Sequence, residues 1–144
     1  MLMPDVNILV YAHRQDESRH AAYRSWLEQL ANGIEPFALS VLVAVGFVRI
    51  VTNRRIYVDA TPVSVAWGVV EALSQRPSCR VVCPGPRHLA LVARLCREMK
   101  ASGKDVADAQ HAAVALEHAC HWVTRDGDFA TLALLGLRWT HLVL

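Results

Sequence analysis

Four aspartates stand at places in this chain where carboxylates can do chemistry. Asp5 closes the short apolar segment at the start of the sequence and is followed by Asn7. Asp108 lies in DVADAQHAAVALEHA, three residues after Asp105. Asp126 and Asp128 straddle Gly127 in TRDGDF. Each has an ordinary structural reading. Asp105 and Asp108 suit a helix N-cap and the positive end of a helix dipole, Asp-Gly-Asp suits a turn, and Asp5 can cap the helical turn after it. Brought within a few ångström of one another, however, such carboxylates repel strongly unless cations neutralise them. Hard oxygen donors of this kind select Mg²⁺ or Mn²⁺. A carboxylate-bound ion activates water and stabilises a leaving oxygen in phosphodiester cleavage. The seven histidines are dispersed and no C-x-x-C occurs, so zinc spacing is missing.

The elements that must position these acids alternate along the chain. MLMPDV reads as a first strand ending near Asp5, followed by a short helical turn over Ile8, Leu9, Tyr11 and Ala12. Ser18 is a candidate N-cap for a helix that carries Ala22, Tyr23, Trp26, Leu27 and Leu30 and stops at Asn32-Gly33. Phe37-Ala38-Leu39 is a buried strand, and Val41 to Thr52 is apolar nearly all round, a buried helix. Thr61-Pro62 opens a further helix, with proline at its first position. Arg80 to Cys83 reads as a central strand, and Arg87 to Ser102 as a helix closed by Gly103. A helix from Asp105 to Ala119, the strand HWVT, a short helix from Phe129 to Leu134 and an edge strand RWTHLVL complete the chain. Strands separated by helices predict an α/β fold, with a mainly parallel sheet covered on both faces. Ligands bind such sheets beyond the carboxyl ends of the strands, where Asp5 and Asp126 fall.

Composition bounds the rest. With 144 residues, 53% hydrophobic and 19% charged, the chain is expected to form a single domain over 1–144, buried enough to fold without disulfides. Cys79, Cys83, Cys96 and Cys120 are expected to be buried or partly buried free thiols. No apolar run approaches the roughly 20 residues of a membrane span, and the start carries no basic leader, so a cytoplasmic protein is expected. The formal charge of +2 hides an uneven distribution. Between Pro36 and Lys104 ten basic residues face three acids, whereas the flanks carry five basic residues and ten acids. Arginine supplies 13 of the 15 basic residues, and its donor fork suits phosphate oxygens. Arginine beside an acidic cluster is the balance required by a metal-dependent enzyme acting on a polyanion.

Four segments in order, PDVNILVYAHR, SVLVAVGFVRIVTNRRIY, DVADAQHAAVALEH and HWVTRDGDF with the ATLALLGLRW that follows, resemble the successive motifs of PIN-domain ribonucleases. The resemblance is to the VapC toxins of type II toxin–antitoxin systems and spans essentially the whole chain. The D-A-x-x-A-A run followed by T-x-D-x-D-F is its most specific part. It implies a PIN-like three-layer α/β/α fold and a Mg²⁺- or Mn²⁺-dependent endoribonuclease. It further implies a homodimer and a cognate VapB-like antitoxin. The family's acids match Asp5, Asp108, Asp126 and Asp128, with Asp5, Asp108 and Asp126 as the metal ligands. The family's usual glutamate in the helix after the second strand is replaced here by Gly46, just before Phe47-Val48-Arg49.

Asn7 and Ser40 are candidates to orient a carboxylate or a metal-bound water, with simple capping as the other reading. Arg49, Arg54 and Arg55 are candidates for RNA phosphates, with a solvated helix end as the other reading. His111 is expected to be a packed or partly exposed histidine, and Glu117 a solvated helix charge. Two further classes stay open at this level. One is a PIN-like module weakened at Gly46 that binds RNA or antitoxin without cleavage. The other is another Mg²⁺-dependent phosphotransfer enzyme, for which no glycine-rich phosphate loop is present.

Overall fold

The computed structural model describes residues Met1–Leu144. Five strands form one sheet: β1 (Leu2–Pro4), β2 (Phe37–Ser40), β3 (Cys79–Val82), β4 (His121–Thr124) and β5 (Trp139–His141). Their order is β3-β2-β1-β4-β5, and every pair is parallel. Seven α-helices connect them: α1 (Val6–His13), α2 (His20–Asn32), α3 (Val41–Val51), α4 (Val63–Ser74), α5 (His88–Met99), α6 (Lys104–Glu117) and α7 (Ala130–Ala133). A 3₁₀ turn at Gly127–Phe129 leads into α7. Helices α1 to α4 pack on one another, as do α5 and α6, giving a helical layer on each face of the sheet. The result is the three-layer α/β architecture expected from alternating elements, with a sheet that is wholly rather than mainly parallel.

The direction of the chain reverses once. β1, β2 and β3 step outward along one side, and the α5–α6 crossover then carries the chain back to β4 on the other side of β1. Right-handed crossovers therefore place α1 to α4 on one face and the α5–α6 pair on the other. The crevice at this reversal lies between the carboxyl ends of β1 and β4, where ligands bind in open parallel sheets. Register fixes the two strands against each other, with Met3 opposite Trp122 and Pro4 opposite Val123. The Asp5 amide continues the ladder by donating to the Val123 carbonyl at 2.8 Å.

The core draws on the sheet and on the helices. Trp122, Phe37, Phe47, Phe129, Met3 and Leu39 are fully or almost fully buried. Helix α6 contributes Ala109, Ala112, Ala113, Val114 and Ala115, none of them exposed. Small side chains let its axis approach the sheet, and this carries Asp108 to the strand ends.

Several local expectations are corrected. The strand over Cys79–Val82 lies at the sheet edge rather than its centre, since β4 takes the other side of β1; Val81 is accordingly half exposed. Ser18 does not cap α2, which begins after Arg19 in a left-handed conformation (φ 64°). Pro62 occupies the N-cap of α4 rather than its first position, because the Thr61 hydroxyl is engaged by His13 at 3.0 Å and Arg14 at 3.4 Å. Helix α5 ends at Met99 with Lys100 left-handed (φ 52°), and Gly103 (φ 56°) instead precedes α6. The four cysteines are free, with Cys79 and Cys120 buried, Cys96 partly buried and Cys83 exposed rather than covered. No helix is long and apolar enough to cross a membrane.

Candidate functional site

Asp5 is the most constrained acid of the molecule. It follows β1, caps α1 by accepting the Val6 amide at 2.6 Å, and is only 6% exposed. Its second oxygen accepts the Thr124 hydroxyl at 2.5 Å and the Asn7 amide at 2.9 Å. Asn7 also donates to the Thr124 hydroxyl at 3.1 Å and accepts the Arg125 amide at 3.1 Å. The Thr124 oxygen in turn accepts the Asp126 amide at 2.9 Å. One side-chain clasp therefore ties the end of β1 to the turn after β4 and fixes Asp5 relative to Asp126.

Asp108 projects from the first turns of α6 toward the same crevice, its side chain 14% exposed. Asp126 and Asp128 sit in the turn after β4, with the Asp128 amide donating to Asp126 at 2.9 Å. Their exposures differ: 26% for Asp126 and 74% for Asp128. Asp5, Asp108 and Asp126 line a recess of about 620 Å³, joined there by Asn7, Gly46 and Arg49. A second recess of about 540 Å³, between α2 and α4, is lined mainly by groups such as Leu27, Val69 and Leu73 and lies away from these acids.

The electrostatics match the packing. Burial pushes the Asp5 carboxyl up to about 6, against the Thr124 and Val6 hydrogen bonds, and the charges of Asp108 and Asp126 add to the rise. Burial also raises Asp108 to about 6; Lys104 opposes this, and Asp126 and Asp105 reinforce it. Asp126 is partly desolvated as well, but the Lys104 ammonium and the Asp128 amide hold it below the usual range. Burial drives His111, which lines the recess and stacks on Trp122 with centroids 5.4 Å apart, down to about 4. It is neutral at physiological pH.

Lys104 is the cation that pairs with these acids. Its Nζ lies 2.6 Å from Asp126, 3.2 Å from Asp128 and 3.9 Å from Asp108. With the ammonium among them, no three of the acids and histidines converge in a ready ligand cage. The donor set nevertheless fits a hard divalent cation. Its atoms are carboxylate oxygens, and two of the three lining acids resist ionisation in a way that a divalent charge beside them reverses.

The remaining expectations divide. Asn7 is in direct contact with Asp5, whereas the Ser40 hydroxyl, fully buried, accepts the Leu42 amide at 3.2 Å and caps α3 without touching a carboxylate. Arg49 reaches the recess from the end of α3, while Arg54 and Arg55 are exposed in the turn beyond it and do not line it. Glu117, expected to be solvated, instead accepts the Gly85 and Arg87 amides at 2.8 and 2.9 Å and anchors the loop after β3. Gly46 faces Val6, and a Cβ built there would lie 3.0 Å from its Cγ2. Only the Val6 side chain meets it, and Gly46 otherwise borders the recess. Sequence reasoning missed Thr124 and Lys104. The first was visible as the threonine of T-x-D-x-D, the second as a lysine four residues before Asp108, one helical turn away.

Comparison with known proteins agrees with this geometry. A sequence model described as the PIN domain matches residues 2–135. The chain is 45% identical over 141 residues to the ribonuclease VapC43 of Mycobacterium tuberculosis, covering 98% of this chain and 95% of that one. It is 42% identical over 133 residues to VapC25 of the same species, covering 92% and 94%. Among solved structures, the fold resembles Rickettsia felis VapBC2, a complex bound to a promoter DNA fragment, with TM-score 0.69, 18% identity and 96% of each chain covered. It also resembles M. tuberculosis VapC20, a Sarcin-Ricin loop cleaving toxin, with TM-score 0.64, 15% identity and both chains covered in full. The acids gathered at the β1–β4 crevice thus sit in a chain that belongs to the PIN-domain family, among the VapC ribonucleases.

Proposed function

We propose that this chain is a cytoplasmic toxin of a type II toxin–antitoxin system, a Mg²⁺- or Mn²⁺-dependent endoribonuclease working as a homodimer of single-domain subunits and held in check by a VapB-like antitoxin. The observation that carries this reading is the convergence of Asp5, Asp108 and Asp126 from three separate elements on one recess, where two of them resist carrying their own charge. Buried carboxylates under mutual repulsion weaken a fold, and ion binding accounts for keeping them.

In this reading Asp5, Asp108 and Asp126 hold the ion, and Asp128 completes the acidic rim. A bound Mg²⁺ or Mn²⁺ would supply a Lewis acid that activates water and neutralises charge on the cleaved phosphodiester. Asn7 and Thr124 orient Asp5 by donating to its Oδ2 oxygen, opposite the oxygen that takes the Val6 amide. Arg49, at the mouth of the recess, attracts the RNA backbone, with Arg54 and Arg55 extending the positive surface. Neutral His111 offers a ring without charge beside the bound strand. Antitoxin capture suits the same acidic recess, which an arginine side chain would enter by bidentate pairing.

The test is RNA cleavage by the purified chain across a Mg²⁺ and Mn²⁺ titration, beside Asp108→Ala. Cleavage that requires the ion and disappears in the variant, which still unfolds cooperatively in chelator, is the expected result. A fully active Asp108→Ala protein would overturn the assignment.

A further inference from the structure

Lys104 opens α6, and its position runs against helix electrostatics. The amino end of a helix favours acids and disfavours lysine. The ammonium therefore owes its place to its partners rather than to the helix it begins. Those partners are Asp126 Oδ2 at 2.6 Å, Asp128 Oδ2 at 3.2 Å and Asp108 Oδ2 at 3.9 Å. All three contacts are made through carboxylate oxygens, two of them belonging to acids of the recess. The lysine is tethered but not trapped: its side chain is 59% exposed, and the left-handed Gly103 (φ 56°) just before it marks a turn rather than a packed segment.

We propose that Lys104 is a built-in competitor of the divalent ion, holding the acidic site closed in the metal-free protein and swinging out to admit the metal. The inference rests on the metal site proposed above. An ammonium and a divalent cation within a few ångström repel one another, so the two occupancies exclude each other. Binding of one lowers the affinity for the other by the same factor. Being covalently attached, Lys104 competes at a fixed high effective concentration whatever the solution holds. The ion affinity of this chain is then set by the cost of releasing Lys104 as well as by the carboxylates.

The test is Mn²⁺ binding without RNA, followed by the electron paramagnetic resonance signal of free Mn²⁺, for the full chain and for Lys104→Met, Lys104→Arg and Asp108→Asn. An exposed ion-pair network of this size predicts Mn²⁺ binding roughly two- to fivefold tighter in Lys104→Met. Lys104→Arg, which keeps the charge, stays near the starting affinity. Thermal unfolding reports the same competition independently. Lys104→Met is less stable than the starting protein in chelator and gains more from added Mn²⁺. Equal or weaker Mn²⁺ binding in Lys104→Met overturns the proposal. If that equality comes with loss of binding in Asp108→Asn, the metal site stands and only the competitor role of Lys104 is lost. Absence of Mn²⁺ binding in every protein overturns both.

Discussion

Replacing Asp5 by asparagine keeps the shape of a buried side chain and removes its charge. Asp5 is 6% exposed, and its carboxyl is raised from an ordinary 3.8 to about 6, mainly by burial. A folded state that raises an acid's pKa holds the proton more tightly than the unfolded chain does. The corresponding stability is complete below about pH 4 and is lost as pH rises through about 6. A rise of that size amounts to about 3 kcal/mol at neutral pH. By pH 4.5 about 1 kcal/mol is already lost, so about 2 kcal/mol disappears between pH 4.5 and 7.5. Asparagine at this position loses none of it. The variant also turns an amide NH₂ toward the Asn7 amide, 2.9 Å from the oxygen it replaces, a mismatch costing roughly 1–3 kcal/mol. Neither amide titrates, so that penalty is the same at both pH values. Relative to the starting protein, Asp5→Asn should therefore gain about 2 kcal/mol from pH 4.5 to 7.5, about 6 °C of Tm for a chain of this length. Melting curves in EDTA at the two pH values measure it. A Tm difference that does not change with pH would refute the claim that burial of the Asp5 charge weakens the metal-free fold.

Gly46→Glu sets a strained contact with Val6, whose Cγ2 lies 3.0 Å from the added Cβ, against the roughly 0.5–1 kcal/mol that a helix interior gains when glycine is replaced. Val6→Ala should relieve the strain, giving a coupling of about 0.5–1 kcal/mol in a double-mutant cycle of denaturant midpoints; additive effects would show that the contact does not matter. Tyr23→Phe removes a hydroxyl that donates to the Leu142 carbonyl at 3.0 Å and accepts the Leu144 amide at 3.3 Å. Its expected cost is about 1 kcal/mol, with faster amide exchange at Leu144. Arg49→Ala should weaken RNA binding evenly across sequences and reduce the magnitude of its salt slope by roughly 0.7–0.9, read from binding curves in chelator at several salt concentrations. An unchanged slope would remove Arg49 from the phosphate contacts.

Much of the architecture was legible because it depends on local pattern. The alternation of apolar strands with amphipathic or buried helices requires a covered parallel sheet, and the apolar run Val41–Val51 together with the alanine-rich α6 marks two helices that bury much of their length. The errors fell where local signals compete. Ser18 and Thr61-Pro62 carry helix-start chemistry, but the Thr61 hydroxyl is drawn to Arg14 and His13, partners nearly fifty residues away. The Arg80–Cys83 segment reads as central because periodicity alone does not tell a middle strand from an edge; strand order does.

At the candidate site the same division holds. Residue type and spacing determined that Asp5, Asp108 and Asp126 could share the active edge of an α/β sheet, since strand ends and helix starts are local features. They also placed Gly46 in the helix after β2. Only the tertiary structure decided what surrounds each acid. It buried Asp5 beneath the Thr124–Asn7 clasp, left Asp128 exposed, gave Ser40 to a helix end, and set Lys104 among three carboxylates. The physical reason is that charge and hydrogen-bond energies depend on distance and solvent exposure. Both are set here by contacts of β1 with α6 and β4, which lie a hundred residues or more further along the chain.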